Sequence, residues 1–146
     1  MATVKRFEDL HVWQKARQLC KELYDCQMNG SLKNDYSLKD QMGKSSGSVM
    51  DNIAEGFERE GRKEFVQFLS IAKSSAGELR SQLYRAFDRK HLTEDQFSAF
   101  IDQTLLVGRM LGALMTYLKT SEIQGNKYRV SEPELFYIVM SDYKDD

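Results

Sequence analysis

Asn52-Ile53-Ala54-Glu55-Gly56-Phe57 is the stretch on which the fold of this chain turns. Ile53 and Gly56 end a seam that starts at Met42 and passes through Ser46 and Val49 in steps of four and three. Such spacing sets side chains along one stripe of a helix. Beside that seam runs a polar stripe: Gln41, Ser45, Ser48, Asn52 and Glu55 follow the same alternation. A helix does not need that pairing merely to stay soluble. The run Lys44-Ser-Ser-Gly-Ser48 has the composition of a linker. The seam continues in register on both sides of it, so it reads as helix. Ser46 and Gly47 are then expected to permit a close helix approach, at some loss of helix propensity.

Three further segments carry the same period. Val12, Ala16, Leu19, Leu23 and Cys26 form the first. Phe65, Leu69, Ala72, Ala76, Leu79, Leu83 and Ala86 form the third. Phe97, Phe100, Thr104, Val107, Leu111, Leu114 and Leu118 form the fourth, with one polar member. The single proline is Pro133, so residues 1–132 permit long uninterrupted helices.

Local chemistry sets the boundaries. Asn29-Gly30-Ser31 is expected to end the first helix, since Asn and Gly tolerate the left-handed conformation of a helix end. Gly61 separates the second from the third. Thr93-Glu-Asp-Gln96 reads as a capping box opening the fourth. Helices are predicted near 8–29, 36–58, 62–91 and 94–121, the third about 45 Å long. Short links between long helices make neighbours antiparallel, which predicts an all-α, up-down-up-down four-helix bundle over 1–121. Residues 122–146 form a C-terminal extension. Its apolar run, Leu135 to Met140, is too short for another bundle helix and is expected to dock on the bundle or on a neighbouring subunit. The final residues, from Asp142, resemble the start of an acidic epitope tag and are set aside from the fold.

The chain has 146 residues, one domain's worth, with 29% charged and 41% hydrophobic residues. Residues 1–120 carry 18 Lys/Arg against 16 Asp/Glu, and 121–146 carry 3 against 6. The body is mildly basic and the extension acidic, far from an overtly basic nucleic-acid binder. No apolar run is long enough to span a bilayer, and Met1 to Leu10 lacks a signal-peptide core, so the expectation is a cytoplasmic protein away from the membrane. Cys20 and Cys26, six apart, point about 120° away from each other on a helix and have no zinc spacing. They read as small apolar side chains.

Catalytic signatures are missing from the sequence. Glu8-Asp-Leu-His11 and Asp88-Arg-Lys-His91 approach the Glu-x-x-His pairs of di-iron bundles. In the predicted topology they fall at opposite ends, so no metal or other cofactor is expected, and His91 is expected in a last helical turn where it suits the dipole. The chain lacks a nucleophile elbow, a phosphate-cradling loop and a dinucleotide turn. A non-enzymatic protein is the expectation.

Two surface sets remain. The polar stripe (Gln41, Asn52 and Glu55, echoed by Glu78 and Gln82 on the third helix) is either a solvated face or a subunit interface or central channel, where polar groups bond between chains and set register. Arg59, Arg62 and Lys63 surround the turn between helices two and three, and Lys73 and Arg80 line one side of helix three. They are either ordinary solubilising charge, partly paired with Glu58, Glu60 and Glu64, or contacts to a phosphate backbone.

The chain resembles the bacterial four helix bundle protein family, the 23S ribosomal RNA intervening sequence proteins. The likeness rests on Phe7-Glu-Asp-Leu10 with Val12-Trp13 and Ala16, then Leu38 and Gln41, then Asn52-Ile-Ala-Glu-Gly56. It continues through Phe65, Phe68-Leu69, Ile71-Ala72, Ser75, Glu78-Leu79 and Gln82-Leu83. The resemblance implies a ring-like homo-oligomer, a pentamer, and kinship with the accessory variability protein of diversity-generating retroelements. That relative binds nucleic acid through a basic surface and partners a reverse transcriptase. No catalytic residue comes with the family. The resemblance implies RNA or DNA, a reverse transcriptase or a ribosomal component as partners. Met42-Gly43-Lys44 keeps one basic residue where the family commonly carries two. A scaffold that binds a protein partner is the alternative.

Overall fold

The computed structural model of the chain describes residues 4–120. The extension from 122, including the apolar run 135–140, lies outside the described residues. Four α-helices account for most of the described chain: α1 (His11–Asn29), α2 (Tyr36–Glu58), α3 (Arg62–Asp88) and α4 (Glu94–Thr120). Short 3₁₀ turns at Phe7–Asp9 and Ser31–Asn34 precede α1 and α2. No strand occurs among the described residues. α2 packs along α3, α3 along α4, and α1 joins α2 and α4 over a smaller area.

The apolar seams form the core. Every seam residue of α2 and α3 is buried, small members included. On α1, Gln27 is buried where Cys26 is half-buried, and its amide donates to the Lys39 carbonyl at 3.2 Å. On α4, Met110 joins the predicted set, while Phe97 stays half-buried.

The core falls into two clusters. One joins Leu10, Val12 and Ala16 to Val49, Ile53, Phe65, Leu69, Val107, Leu111 and Leu118. The other joins Leu19, Leu23, Leu38, Met42, Leu79, Leu83 and Phe100. Ser45, Ser46, Ser75 and Thr104, all buried, lie near the break between them. Ser46 bonds the Gly43 carbonyl, Thr104 the Ile101 carbonyl, and Ser75 the Ser48 hydroxyl at 2.8 Å. Three of these hydroxyls thus have partners without leaving the interior.

Gly56 explains the opening motif. A Cβ there would stand 2.6 Å from Phe68 Cβ and 3.1 Å from a Phe65 ring carbon. Only glycine lets α2 meet α3 that closely beside their connecting turn. The expected role of Gly47 is corrected: a Cβ there would meet nothing within 4 Å. Ser46 does mark a close approach, since Cys20 Sγ donates to its carbonyl at 3.0 Å.

The helix ends show both agreement and correction. The capping box is formed: Gln96 N–H donates to Thr93 Oγ1 at 3.1 Å, and Thr93 N–H to Gln96 Oε1 at 2.9 Å. Gly30 ends α1 in extended backbone (φ −136°), not in the left-handed region. α1 begins at His11, because Phe7–Asp9 winds as a 3₁₀ turn with Leu10 buried behind it. α3 stops at Asp88, three residues early. Lys90 takes φ 62°, its N–H bonds the Phe87 carbonyl, and the His91 N–H bonds the Ala86 carbonyl, both at 2.9 Å. That is a Schellman stop with lysine where glycine is usual.

Candidate functional site

The basic residues separate into groups. Arg59 follows α2, meets Glu55 at 3.3 Å and lies over the Phe68 ring at 5.3 Å, which ties it to the α2–α3 side. Arg62 and Lys63 open α3. Arg62, Lys73 and Arg80 are eleven and seven residues apart, so they share one side of α3. That side faces α4: Lys73 Nζ lies 3.6 Å from where a Cβ of Gly112 would stand. Lys63, Lys73 and Arg80 are exposed and make no ion pair among the described residues. Glu55 is an acidic partner of Arg59, and none of Lys63, Lys73 and Arg80 pairs with Glu58, Glu60 or Glu64.

The polar stripe of α2 lies against α3. Arg85 donates to Gln41 Oε1 at 2.9 Å, and Ser48 meets Ser75. Asn52 donates to the Ser48 carbonyl and hydroxyl at 2.8 and 3.0 Å. Gln82, 4% exposed, donates to Glu78 Oε1 at 3.3 Å. Gln41 and Gln82 are therefore engaged within the chain, while Glu55 and Glu78 remain exposed and Asn52 half-buried at the rim.

A third cluster escapes sequence reasoning. His91 is not in the last turn of α3 but beyond it. Its Nε2 donates to Asp35 Oδ2 at 2.9 Å, and its Nδ1 meets Ser31 Oγ at 2.7 Å. With Nε2 donating, a neutral ring accepts the Ser31 hydroxyl at Nδ1. Arg89 donates to the same Asp35 oxygen at 2.9 Å. The order serine, histidine, carboxylate is that of a hydrolase relay. With Arg89 on the same carboxylate, these side chains form a clasp that ties the α1–α2 link to the α3–α4 link. His11 opens α1, far from this clasp at the helix's other end.

Hydrogen bonds from Arg89 and His91 hold the Asp35 carboxyl down at about 2. An unfolded aspartate titrates near pH ~3.9. The clasp's contribution is therefore complete above about pH 4 and is lost as pH falls towards about 2. Asp35→Asn is expected to lower the denaturant midpoint at pH 6, and the gap to wild type should close between pH 4 and pH 2. A gap of constant size across that range, followed by circular dichroism, would contradict the clasp.

Elsewhere the surface offers an open groove of about 400 Å³ between α1 and α2, lined by Tyr24, Gln27, Met28, Lys39, Asp40, Gly43 and Lys44. Burial raises the Cys20 and Cys26 thiols above their ordinary range, which disfavours the reactive thiolate. No group of three His, Cys, Asp or Glu side chains is placed to hold a metal among the described residues. None of the described helices is long and apolar enough to cross a membrane.

Comparison with known proteins finds a family model and solved structures that match. The family model for the 23S rRNA-intervening sequence protein matches residues 8–113. A crystal structure of a protein of unknown function from the S23 ribosomal protein family of Bacteroides thetaiotaomicron superimposes with a TM-score of 0.67. It is 18% identical, and the match covers 72% of this chain and 95% of that one. At that identity the likeness speaks for the fold alone. No curated protein matches.

Proposed function

Since the chain belongs to the 23S rRNA-intervening sequence protein family, we propose that it is a non-enzymatic, homo-oligomeric protein of the cytoplasm that holds the backbone of RNA or DNA on a basic outer surface. The carrying observation is the trio Lys63, Lys73 and Arg80, exposed on α3 and without ion pairs among the described residues. Each such cation can neutralise a phosphate without first breaking a salt bridge to another described residue. Arg59 and Arg62 flank them at the α2–α3 turn. No cofactor enters this reading, and a reverse transcriptase or a ribosomal component is the protein partner that family kinship implies.

The same reading takes the four helices as an up-down-up-down antiparallel bundle. It is supported by the way Ser48 meets Ser75 while Gln41, seven residues earlier, meets Arg85, ten residues later. The oligomer is taken as a pentamer. Asn52, Glu55 and Glu78, at the rim of the polar stripe, are where a second copy would meet the chain, with Gln41 and Gln82 holding the stripe from within.

Fluorescence anisotropy with structured RNA and duplex DNA, at low and moderate salt, tests the reading. Binding at low salt that collapses as salt rises is expected, together with a light-scattering mass five times that of one chain. A well-formed oligomer that binds neither nucleic acid at low salt would move the assignment to a protein-binding scaffold. That second reading is favoured by the α1–α2 groove, where Tyr24 is 60% and Met28 38% exposed. An apolar protein contact there would persist at high salt.

A further inference from the structure

Tyr84, on α3, is 52% exposed. It stands four residues after Arg80 and eleven after Lys73. At 1.5 Å of rise per residue, Lys73 and Arg80 lie about 10.5 Å apart along α3, and Tyr84 a further turn of about 6 Å on. Offsets of seven, four and eleven keep all three on one side of the helix. Contacts on α4 identify that side independently. Lys73 lies over Gly112, and the Tyr84 ring meets the Phe97 ring edge-to-face at 5.0 Å. Phe97 in turn stacks on Phe87 at 4.4 Å, so the tyrosine leans on a fixed support while more than half of it faces solvent.

Between the two cations the surface is low. A Cβ at Gly77 would meet nothing within 4 Å, and the same holds at Gly108, one turn from Gly112 on α4. The acidic first turn of α4, Glu94 and Asp95, bounds this strip beyond Tyr84. The result is a shallow track with two cations that make no ion pair among the described residues and one propped, exposed ring at its end.

We infer that the Lys73–Arg80–Tyr84 track takes single-stranded nucleic acid, with phosphates on the two cations and one unpaired base stacked on the tyrosine. The inference rests on the nucleic-acid reading above and narrows it. A duplex keeps its bases stacked inside and has no free base face to offer Tyr84, whereas an unpaired base does. Aromatic stacking beside a cationic track is the general means of holding single strands without sequence preference. Stacking and phosphate contacts are common to RNA and DNA, so both single strands are expected to bind.

The test compares fluorescein-labelled single-stranded RNA, single-stranded DNA and a DNA duplex of equal length on wild type, Tyr84→Ala, Tyr84→Leu and Tyr84→Phe. Leucine keeps apolar contact with Phe97 without an aromatic face, so it separates stacking from packing should the alanine variant fold poorly. Tyr84→Leu and Tyr84→Ala are expected to weaken both single strands about ten-fold and to leave the duplex unchanged. Tyr84→Phe should match wild type. The salt dependence should be the same in all four proteins, because no charge is altered. Equal single-strand affinity of wild type and Tyr84→Leu would overturn the stacking inference and leave phosphate binding standing. Failure of wild type to bind any of the three probes at low salt would overturn both.

Discussion

Alanine at Gly56 is expected to destabilise the fold by roughly 2 kcal/mol, the range in which overpacking a close contact falls. The added methyl would stand 2.6 Å from Phe68 Cβ, 3.1 Å from Phe65 Cδ1 and 3.4 Å from the Phe65 carbonyl oxygen. Phe68 Cβ is fixed by the α3 backbone and has no rotamer by which to move aside. The helices must part, and Phe65, fully buried between them, loses its packing. Against this, alanine in place of glycine favours a helix by only about 1 kcal/mol. The opposite sign is expected at Gly47, where a Cβ meets nothing within 4 Å and only the propensity gain remains. Urea denaturation of the two variants reads both, as a midpoint shift at constant slope. A Gly56→Ala protein as stable as Gly47→Ala would refute the close approach of α2 to α3.

Neutralising Lys63, Lys73 and Arg80 together to glutamine is expected to weaken nucleic-acid binding on the order of 100-fold at moderate salt, since each released phosphate contact takes a counterion term with it. The fold should be unaffected. All three side chains are exposed and hold no ion pair among the described residues, and surface changes of that kind stay within about 0.5 kcal/mol. Lys44 supplies the control. It is paired with Asp40 at 3.0 Å on α2, away from the α3–α4 side, and Lys44→Gln should leave affinity unchanged. A loss from Lys44→Gln about one third of the triple variant's, counted in log affinity, would mean that net charge alone governs binding and that α3 has no special part.

Much of the fold is legible because it repeats. The α2 and α3 seams can be read from their three-four spacing, and every member is buried. The Thr93–Gln96 box is equally local and is formed as its residues predict. What escapes depends on contacts the spacing does not contain. Gly47 and Gly56 look alike in a helical pattern, and only the position of Phe68 separates the idle glycine from the necessary one. α3 outruns its real end in the sequence because Lys90 adopts a left-handed conformation that glycine or asparagine would have announced.

The site is legible to a lesser degree. Lys73 and Arg80 share a side by spacing, but that the side faces α4 needs Gly112. Tyr84 continues the same spacing and could have been found from it; its exposure could not. Residues 56 and 60 positions apart build the Ser31–Asp35–His91 clasp, and no local pattern reports it.

Phosphate binding by α3 is tested most directly by the slope of log binding constant against log salt for duplex DNA, measured on wild type and on the Lys63, Lys73, Arg80 triple-glutamine variant. Each phosphate contact contributes about 0.9 to that slope. The variant's line is expected to be shallower by about 2 to 3 per chain engaged. Parallel lines for the two proteins would contradict this, because phosphate binding would then owe nothing to α3.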